Sequence, residues 1–565
     1  MFFLALAADY DGTLAHHGTL AEETILALRR LKQSGRRLLM VTGRELADLA
    51  HTCPHLDLFD RIVAENGGVI HDPATGAVRV LGTPPPADFV AKLVDRKVEP
   101  ISVGHCIVAT WEPHQAAVLE TIQALGLELN IVFNKGAVMV LPAGVTKASG
   151  LAAALAELGL SAQNVVGVGD AENDHAFLQA CGCAAAVANA LPTVKAEAQV
   201  RLSADHGAGV VELVRKLVDD DRRLISATKL GLAIGSDRQG RTIHVMPHQN
   251  VLVVGESACG KTRFAKMLTE RMVERGFEFC VFDPEGDYHG LEHSFGVLEQ
   301  PATPHPQEVL KLLRDTGINV VLDAVSLDLP ARRRLISDIL LPVSALYAET
   351  GRPHWLILDE AHQVFPAEQP CAELPSAFPA TVFVTIAPQA MSEAALRKVD
   401  TVIAFPSAGA DALARLADTI GFKAPPPGTR LQSDEVLVWF RHRDQPALVV
   451  RIDQPRQAHR RHTGKYAVGD VGEQRSFHFR EQDDSVKLRA RNVHEFVQHG
   501  RLLDDAAWER HLRRNDYSAW FRDVIKDDEL ARSAKEIEDN RALQPRESRD
   551  RICQLVLSRY AAPLA

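Results

Sequence analysis

Between residue 1 and about residue 209, short apolar runs alternate with segments whose apolar positions recur at helical spacing. FFLALAA is followed by AEETILALRRLK, then by RRLLMVTG, and later by NVVGVGD. Short continuous apolar runs mark strands buried on both faces, and the amphipathic segments between them supply crossovers. The pattern predicts an α/β unit over 1–209, a parallel sheet covered by helices on both faces. The texture changes over about 84–141, where CIVATW, the helix-like HQAAVLETIQALG and the strand-like VMVLP follow one another. A small α+β cap inserted into the first unit is expected there.

A second alternation starts near residue 230. NVLVVG, CVFDPEG, NVVLDA, WLILDEA and TVFVTIA are candidate buried strands, and LVWFRHRDQPALVVRID has the form of a closing hairpin. Their β-branched content and the turn residues after them favour strands over helix, so a second α/β unit is expected over 230–453. Residues 454–472 carry Pro, Gly, Arg and His without apolar periodicity and are expected to be a linker. Arg456, His459, Arg460, Arg461, His462 and Lys465 make that linker basic, a pattern that usually means a solvated segment. From 473 onward SFHFR gives way to helical patterns, which predicts a mainly helical interaction module to residue 565.

Composition changes this picture little. A chain of 565 residues has room for three or four such units. With 46% hydrophobic and 24% charged residues it reads as globular, and a net charge of -10 gives no overall bias towards nucleic acid. The eight cysteines show no zinc-ligand spacing. No apolar run approaches the ~20 residues that span a bilayer. The apolar start lacks a basic region before it, so a buried first strand and a cytoplasmic setting are expected.

DYDGTL places two carboxylates, Asp9 and Asp11, just after a predicted strand. Asp9 suits a nucleophile on phosphorus, and Asp11 suits the acid that protonates the leaving oxygen and later deprotonates water. Carboxylates this close need a cation, and Mg²⁺ with oxygen ligands fits; Asp170 and Asp174 in GDAEND join Asp9 and Asp11 as candidate ligands. Thr42 and Gly43 in VTGR, Lys147 in PAGVTKASG and Asn173 are candidates for binding the phosphate. Arg44 can reach substrate or pair with a carboxylate. In this order the set resembles the haloacid dehalogenase superfamily of phosphatases over about 1–209. ENGG at 65–68 and VANALPTVKAEA at 187–198 resemble its Cof-like, type IIB branch, in which the cap lies between the Thr and Lys motifs. The resemblance implies a Rossmann-like fold and Mg²⁺-dependent hydrolysis of small phosphomonoesters such as sugar phosphates.

GESACGKT, spanning Gly255, Glu256, Ser257, Ala258, Cys259, Gly260, Lys261 and Thr262, lies between a predicted strand and a helical pattern, the context that makes a glycine-rich loop a P-loop. Its backbone N–H groups would cradle phosphates, Lys261 would neutralise the β/γ oxygens, and Thr262 would ligate Mg²⁺. Asp359 and Glu360 end the strand WLILDEA, where Asp359 would hold the metal shell and Glu360 would polarise water. That pair favours an ATP hydrolase over a kinase. Thr385 and Gln389 are candidates for sensing the γ-phosphate. The series GESACGKT, VFDPEGDY, WLILDEAH, TIAPQ resembles HerA/FtsK-like P-loop ATPases, with Asp287 where Glu is more usual. This resemblance implies a homo-oligomer, commonly a hexameric ring, with an arginine supplied in trans; Arg332, Arg333, Arg334 and Arg397 are available.

The leading reading is therefore a bifunctional protein, a Mg²⁺-dependent phosphatase of small phosphorylated substrates fused to an ATPase that uses ATP and regulates or assembles it. The alternative is a nucleic-acid-processing motor with a terminal-phosphate phosphatase. A third is a scaffold whose Trp508, Trp520, Phe521 and Tyr560 anchor a partner.

Overall fold

The computed structural model describes residues 1–257, 259–288, 291, 294–297, 306–368, 378–408, 410–421, 431–441, 447–455, 475–481, 485–525 and 527–560. The whole basic run from Arg456 to Lys465, and Ala258 of the glycine-rich loop, lie outside them.

Among the described residues the first sheet has eight strands in the order Val200–Arg201, Cys183–Ala186, Val165–Gly169, Ala5–Ala8, Arg37–Val41, Arg61–Ala64, Val69–His71, Val78–Val80. The first six run parallel and the last two turn back as an antiparallel edge. Ala5–Ala8 and Val165–Gly169 are buried throughout, as expected of parallel strands covered on both faces. The apolar start becomes a strand only at Ala5. Phe2 and Phe3 before it donate their N–H groups to Asp221 Oδ2 at 2.7 and 3.0 Å.

Ala5–Ala8 lies between a strand that follows it in the chain and one that comes much later, so the strand order reverses there. Side chains at the carboxyl end of such a switch point face a crevice. Over that end sits a four-stranded antiparallel sheet, Ser102–Val103, Val108–Trp111, Ala137–Pro142 and Leu129–Asn134, backed by helices Ala87–Asp95 and Gln115–Leu125. Phe89, Leu93, Val118 and Val140 give this layer a small core of its own.

Among the described residues the second sheet has eleven strands in the order Thr242–Val245, Leu232–Asp237, Leu448–Ile452, Glu435–Phe440, Thr401–Ala404, Val251–Val254, Ala380–Thr385, Trp355–Leu358, Phe279–Asp283, Asn319–Asp323, Ser294–Val297. From Thr401–Ala404 onward all neighbours are parallel, and the first four strands form an antiparallel flank. Residues of Val251–Val254 alternate between two apolar layers, Val251 and Val253 in one, Leu252 and Val254 in the other. The first of these layers is continuous with the core of the first sheet.

The tail begins with the hairpin Phe477–Arg480 and Val486–Ala490, followed by helices from Val493–Leu502 to Pro545–Arg559. Trp508, Trp520, Phe521 and Tyr560 belong to its interior cluster. They pack against their own module and so do not offer the exposed anchor that the scaffold reading needs.

Candidate active site

Three adjacent strand ends of the first sheet deliver residues of the site. Asp9 follows Ala5–Ala8, Thr42 follows Arg37–Val41, and Asp170 follows Val165–Gly169. Asp174 reaches back over Gly169, where an added Cβ would lie 2.6 Å from its Oδ2. Asp9, Asp170 and Asp174 are all buried, and one carboxylate oxygen from each lies within 4.8 Å of the others. Lys147 opens the helix Lys147–Glu157, whose N-cap Thr146 forms a capping box with Ser149. Its ammonium donates to Asp9 Oδ1 at 2.7 Å and to Asp174 Oδ1 at 2.6 Å. Burial, with the charge of Asp174, pushes the Asp9 carboxyl up to about 8 despite Lys147. Burial alone would lower the Lys147 ammonium, but Asp174 and Asp9 hold it above its ordinary value.

The other predicted residues are drawn to the same edge. Asp174 Oδ2 accepts the N–H groups of Asp170 and Ala171, so both its oxygens are engaged. Asp11 receives Arg44 Nε at 2.6 Å and Nη2 at 2.8 Å, and Arg44 also donates to Asp48. Of the two options for Arg44, the structure shows carboxylate pairing. Thr42 Oγ1 accepts the Arg44 N–H and keeps its own proton to donate. Asn173 donates to Asn66 Oδ1 at 3.0 Å, and Gly43 lies beside this pair.

A cavity of about 550 Å³ opens between these strand ends and the cap, lined by Asp9, Asp11, Arg44, Trp111, Lys135 and Met139 among others. Lys135 enters from the cap and was not foreseen. It donates to Asp170 Oδ2 at 2.8 Å and to the Asp11 carbonyl at 3.1 Å. Also unforeseen is the role of Glu65 within ENGG. Its carboxylate is buried and accepts the N–H groups of His105, Cys106 and Ile107, tying the sheet edge to the cap. Asn189 Nδ2 and His206 Nδ1 both lie within hydrogen-bond distance of the Gly12 carbonyl, at 2.8 and 2.9 Å, and steady the DYDGTL turn.

At the second sheet, Val251–Val254 leads into the loop 255–260 and then the helix Lys261–Glu274. Gly255 is needed where a Cβ would lie 2.6 Å from Cys259 Sγ, and Gly260 takes φ 109°. Glu256 N–H donates to Ser407 Oγ, and Lys261 Nζ donates to the Glu256 carbonyl at 2.6 Å. Ser257 is exposed, and Thr262 is partly buried in the first helical turn. Asp359 follows Trp355–Leu358, one strand away from the loop across Ala380–Thr385. It is buried, and burial followed by the charge of Glu360 raises its carboxyl well above the ordinary range. Glu360 is held at φ 48°, and burial raises its carboxyl despite the charge of Lys261.

Asp283, on the next strand over, accepts the N–H groups of Gly286, Asp287 and Tyr288. Thr385 Oγ1 is 3.0 Å from His362 Nδ1, whereas Gln389 is exposed on a short turn beyond it. Arg332 binds the Ala324 and Pro284 carbonyls and Gln363, and Arg397 pairs with Glu393 on its own turn. Arg332 is thus committed within the chain, whereas the Arg397 pair is an exposed one. No helix of the described residues is long and apolar enough to cross a membrane.

The sequence pattern of the haloacid dehalogenase-like hydrolases matches residues 6–95 and 95–214. A phosphoglycolate phosphatase of Methanothermobacter thermautotrophicus is 34% identical over 223 residues, covering 38% of this chain and 98% of that protein. A phosphoglycolate phosphatase of Halobacterium salinarum is 29% identical over 220 residues, covering 38% and 96%. The solved structure of a haloacid dehalogenase-like hydrolase from Bacteroides thetaiotaomicron aligns with TM-score 0.34 and 18% identity, covering 38% of this chain and 99% of that one. The matched span contains the switch-point strand, the buried acidic trio and the bridging lysine. Through this N-terminal portion the chain belongs to the haloacid dehalogenase-like hydrolases.

Proposed function

We propose that the chain is a Mg²⁺-dependent phosphatase of small phosphomonoesters, joined to a unit that binds and hydrolyses ATP. The observation that carries the first half is the Lys147 ammonium held between Asp9 and Asp174 at the switch point. The domain division that goes with this reading is 1–209, with a cap over 84–141, then 230–453 and 473–565 after a linker at 454–472.

The donor set fits a hard divalent ion. Buried carboxylates converge with oxygen ligands only, and burial, followed by the charge of Asp174, raises the Asp9 carboxyl. Asp9, Asp11, Asp170 and Asp174 would hold Mg²⁺, and of these Asp9, Asp170 and Asp174 are the three that converge. Bound there, the ion supplies positive charge that lowers repulsion between the carboxylates and the phosphoryl oxygens.

An Asp9 oxygen attacks phosphorus, forming the aspartyl–phosphate bond as the bond to the leaving oxygen breaks. Lys147 and Thr42 hold phosphoryl oxygens, and Asp11 gives its proton to the leaving group. Asp11 then takes a proton from water, whose oxygen attacks the aspartyl–phosphate and releases phosphate. Arg44 pairs with both oxygens of Asp11, so for Asp11 to carry the proton that it gives the leaving group the guanidinium must turn to the substrate. Its charge, with that of Lys135, makes the cavity suited to a substrate with a second anionic group, the class to which phosphoglycolate belongs.

The second half rests on the loop 255–260 and on Asp359 and Glu360 sharing one edge of a parallel sheet, one strand apart. The loop and the helix N-terminus would receive the phosphates of ATP. Lys261 would turn from the Glu256 carbonyl to the β/γ oxygens, Thr262 and Asp359 would hold Mg²⁺, and Glu360 would orient the attacking water. The likeness to ring-forming ATPases extends the proposal to a homo-oligomer.

A phosphate-release screen of small phosphomonoesters tests both halves, using the full chain, Asp9→Asn and Lys261→Ala, each with and without ATP. Asp9→Asn should lose ester hydrolysis and keep ATP hydrolysis, and Lys261→Ala should do the reverse. Ester hydrolysis that survives Asp9→Asn, or ATP hydrolysis that survives Lys261→Ala, sinks the corresponding half.

A further inference from the structure

Lys135 and Gly136 form the tip of the cap hairpin between Leu129–Asn134 and Ala137–Pro142, with φ values of 49° and 88°. Two successive left-handed residues are the geometry of a tight turn matched to the twist of its strands, so the ammonium is carried on a firm arm. That arm places it against Asp170 Oδ2 at 2.8 Å and the Asp11 carbonyl at 3.1 Å. Gly12 makes the approach possible, because a Cβ there would lie 2.7 Å from the ammonium and 2.5 Å from Asp170 Oδ2. The Lys135 side chain is half exposed, so it can withdraw without disturbing a core, whereas Lys147 is enclosed.

The cap thus contributes a positive charge to oxygens of residues that belong to the candidate metal site. A divalent ion bound to Asp170 and the ammonium on the same carboxylate would repel each other at contact distance in a partly dry site. We propose that Lys135 is a tethered cation that competes with the divalent metal for Asp170, so that metal binding and the Lys135–Asp170 contact exclude each other. This rests on the metal reading given above. Because coupling between two binding events is reciprocal, removing the lysine must tighten the metal, and adding the metal must release the hairpin.

The test is calorimetric titration of MgCl₂ into the full chain, into Lys135→Met and Lys135→Gln, and into Lys92→Met, an exposed lysine elsewhere on the cap. Both Lys135 variants should bind Mg²⁺ about tenfold more tightly than the parent, within the range common for coupled sites. Lys92→Met, which removes the same charge without the contact, should stay within about twofold. Hydrogen exchange of the hairpin 129–142 should rise on Mg²⁺ addition in the parent and be high from the start in Lys135→Met. Equal or weaker Mg²⁺ binding by both Lys135 variants, or equal tightening by Lys92→Met, overturns the inference while leaving the metal site standing. A parent chain that shows no Mg²⁺ binding overturns the metal reading and this inference with it.

Discussion

Asn164 and His354 meet in a hydrogen bond of 3.0 Å between Oδ1 and Nε2, and each immediately precedes a strand that ends in an acidic site. Val165–Gly169 runs from that contact to Asp170, and Trp355–Leu358 runs from it to Asp359. The two sheets are therefore joined at their amino-terminal edges, and the two candidate sites open away from each other. One apolar cluster runs through both units. Arg352 donating to the Gly159 carbonyl, and Asn164 donating to the Phe2 carbonyl, complete the junction. Replacing Asn164 by Ala should cost about 1–3 kcal/mol, the penalty of leaving buried partners unpaired. Urea unfolding measures it, and phosphate release per folded chain should be unchanged.

Acid should loosen the same junction. His354 Nδ1 lies 2.7 Å from Glu278 Oε2. Burial alone would raise the Glu278 carboxyl, but the neighbouring His354 and the Gly317 N–H outweigh it and hold it below its ordinary value. A carboxyl depressed in the folded state stabilises fully above its unfolded value near 4.5, and that contribution is lost as pH falls through the folded value. Melting temperatures of the parent and Glu278→Gln should therefore converge below about pH 4.5 and separate above it, with the parent higher. A constant difference across pH 3–7 contradicts this assignment.

Lys147 is the enclosed partner of two buried carboxylates, so its removal should be costly to fold as well as to activity. Lys147→Met should destabilise the chain by about 3–5 kcal/mol, because it leaves buried charge uncompensated. Adding Asp174→Asn should restore part of that stability without restoring phosphate release. Denaturation of the single and double variants checks the coupling.

The role given to Asp11 predicts a dependence on the leaving group. General acid catalysis contributes about 10²–10⁴-fold, and most where the departing alkoxide is basic. Asp11→Asn should lose that much on alkyl phosphates such as phosphoglycolate and much less on an aryl phosphate with an acidic phenol. Equal losses on both would remove Asp11 from that role.

The acidic site of the first unit and the strand, loop and helix at Lys261 were legible in the sequence because each is carried by local spacing, and the ATP chemistry assigned to the second stays a proposal. Asp9 and Asp11 flank a turn residue, and Lys261 follows a glycine-rich loop at a strand-to-helix junction, so neighbours in sequence remain neighbours in space. Continuous apolar runs marked the parallel strands for the same reason. The antiparallel flank of Leu232–Asp237 and Thr242–Val245 was not foreseen, since short mixed runs of this kind carry no strong period. Lys135 was hidden because its meaning depends on a cap hairpin folding over Asp170, and Asn164 with His354 because the contact joins positions 190 residues apart. Glu65 was seen only as part of a motif, and its service to the cap backbone appears with the fold. The pairing of Arg44 with Asp11 is visible only in three dimensions, since the two residues stand 33 positions apart.

The central claim is that Asp9 is the attacking group of a Mg²⁺-dependent phosphatase. It is tested most directly by phosphate release from phosphoglycolate by the full chain in Mg²⁺, set against Asp9→Asn at equal folded concentration. Loss of at least about 10⁴-fold in rate, with ATP hydrolysis retained, is the predicted result. Hydrolysis by Asp9→Asn within a few-fold of the parent would contradict it.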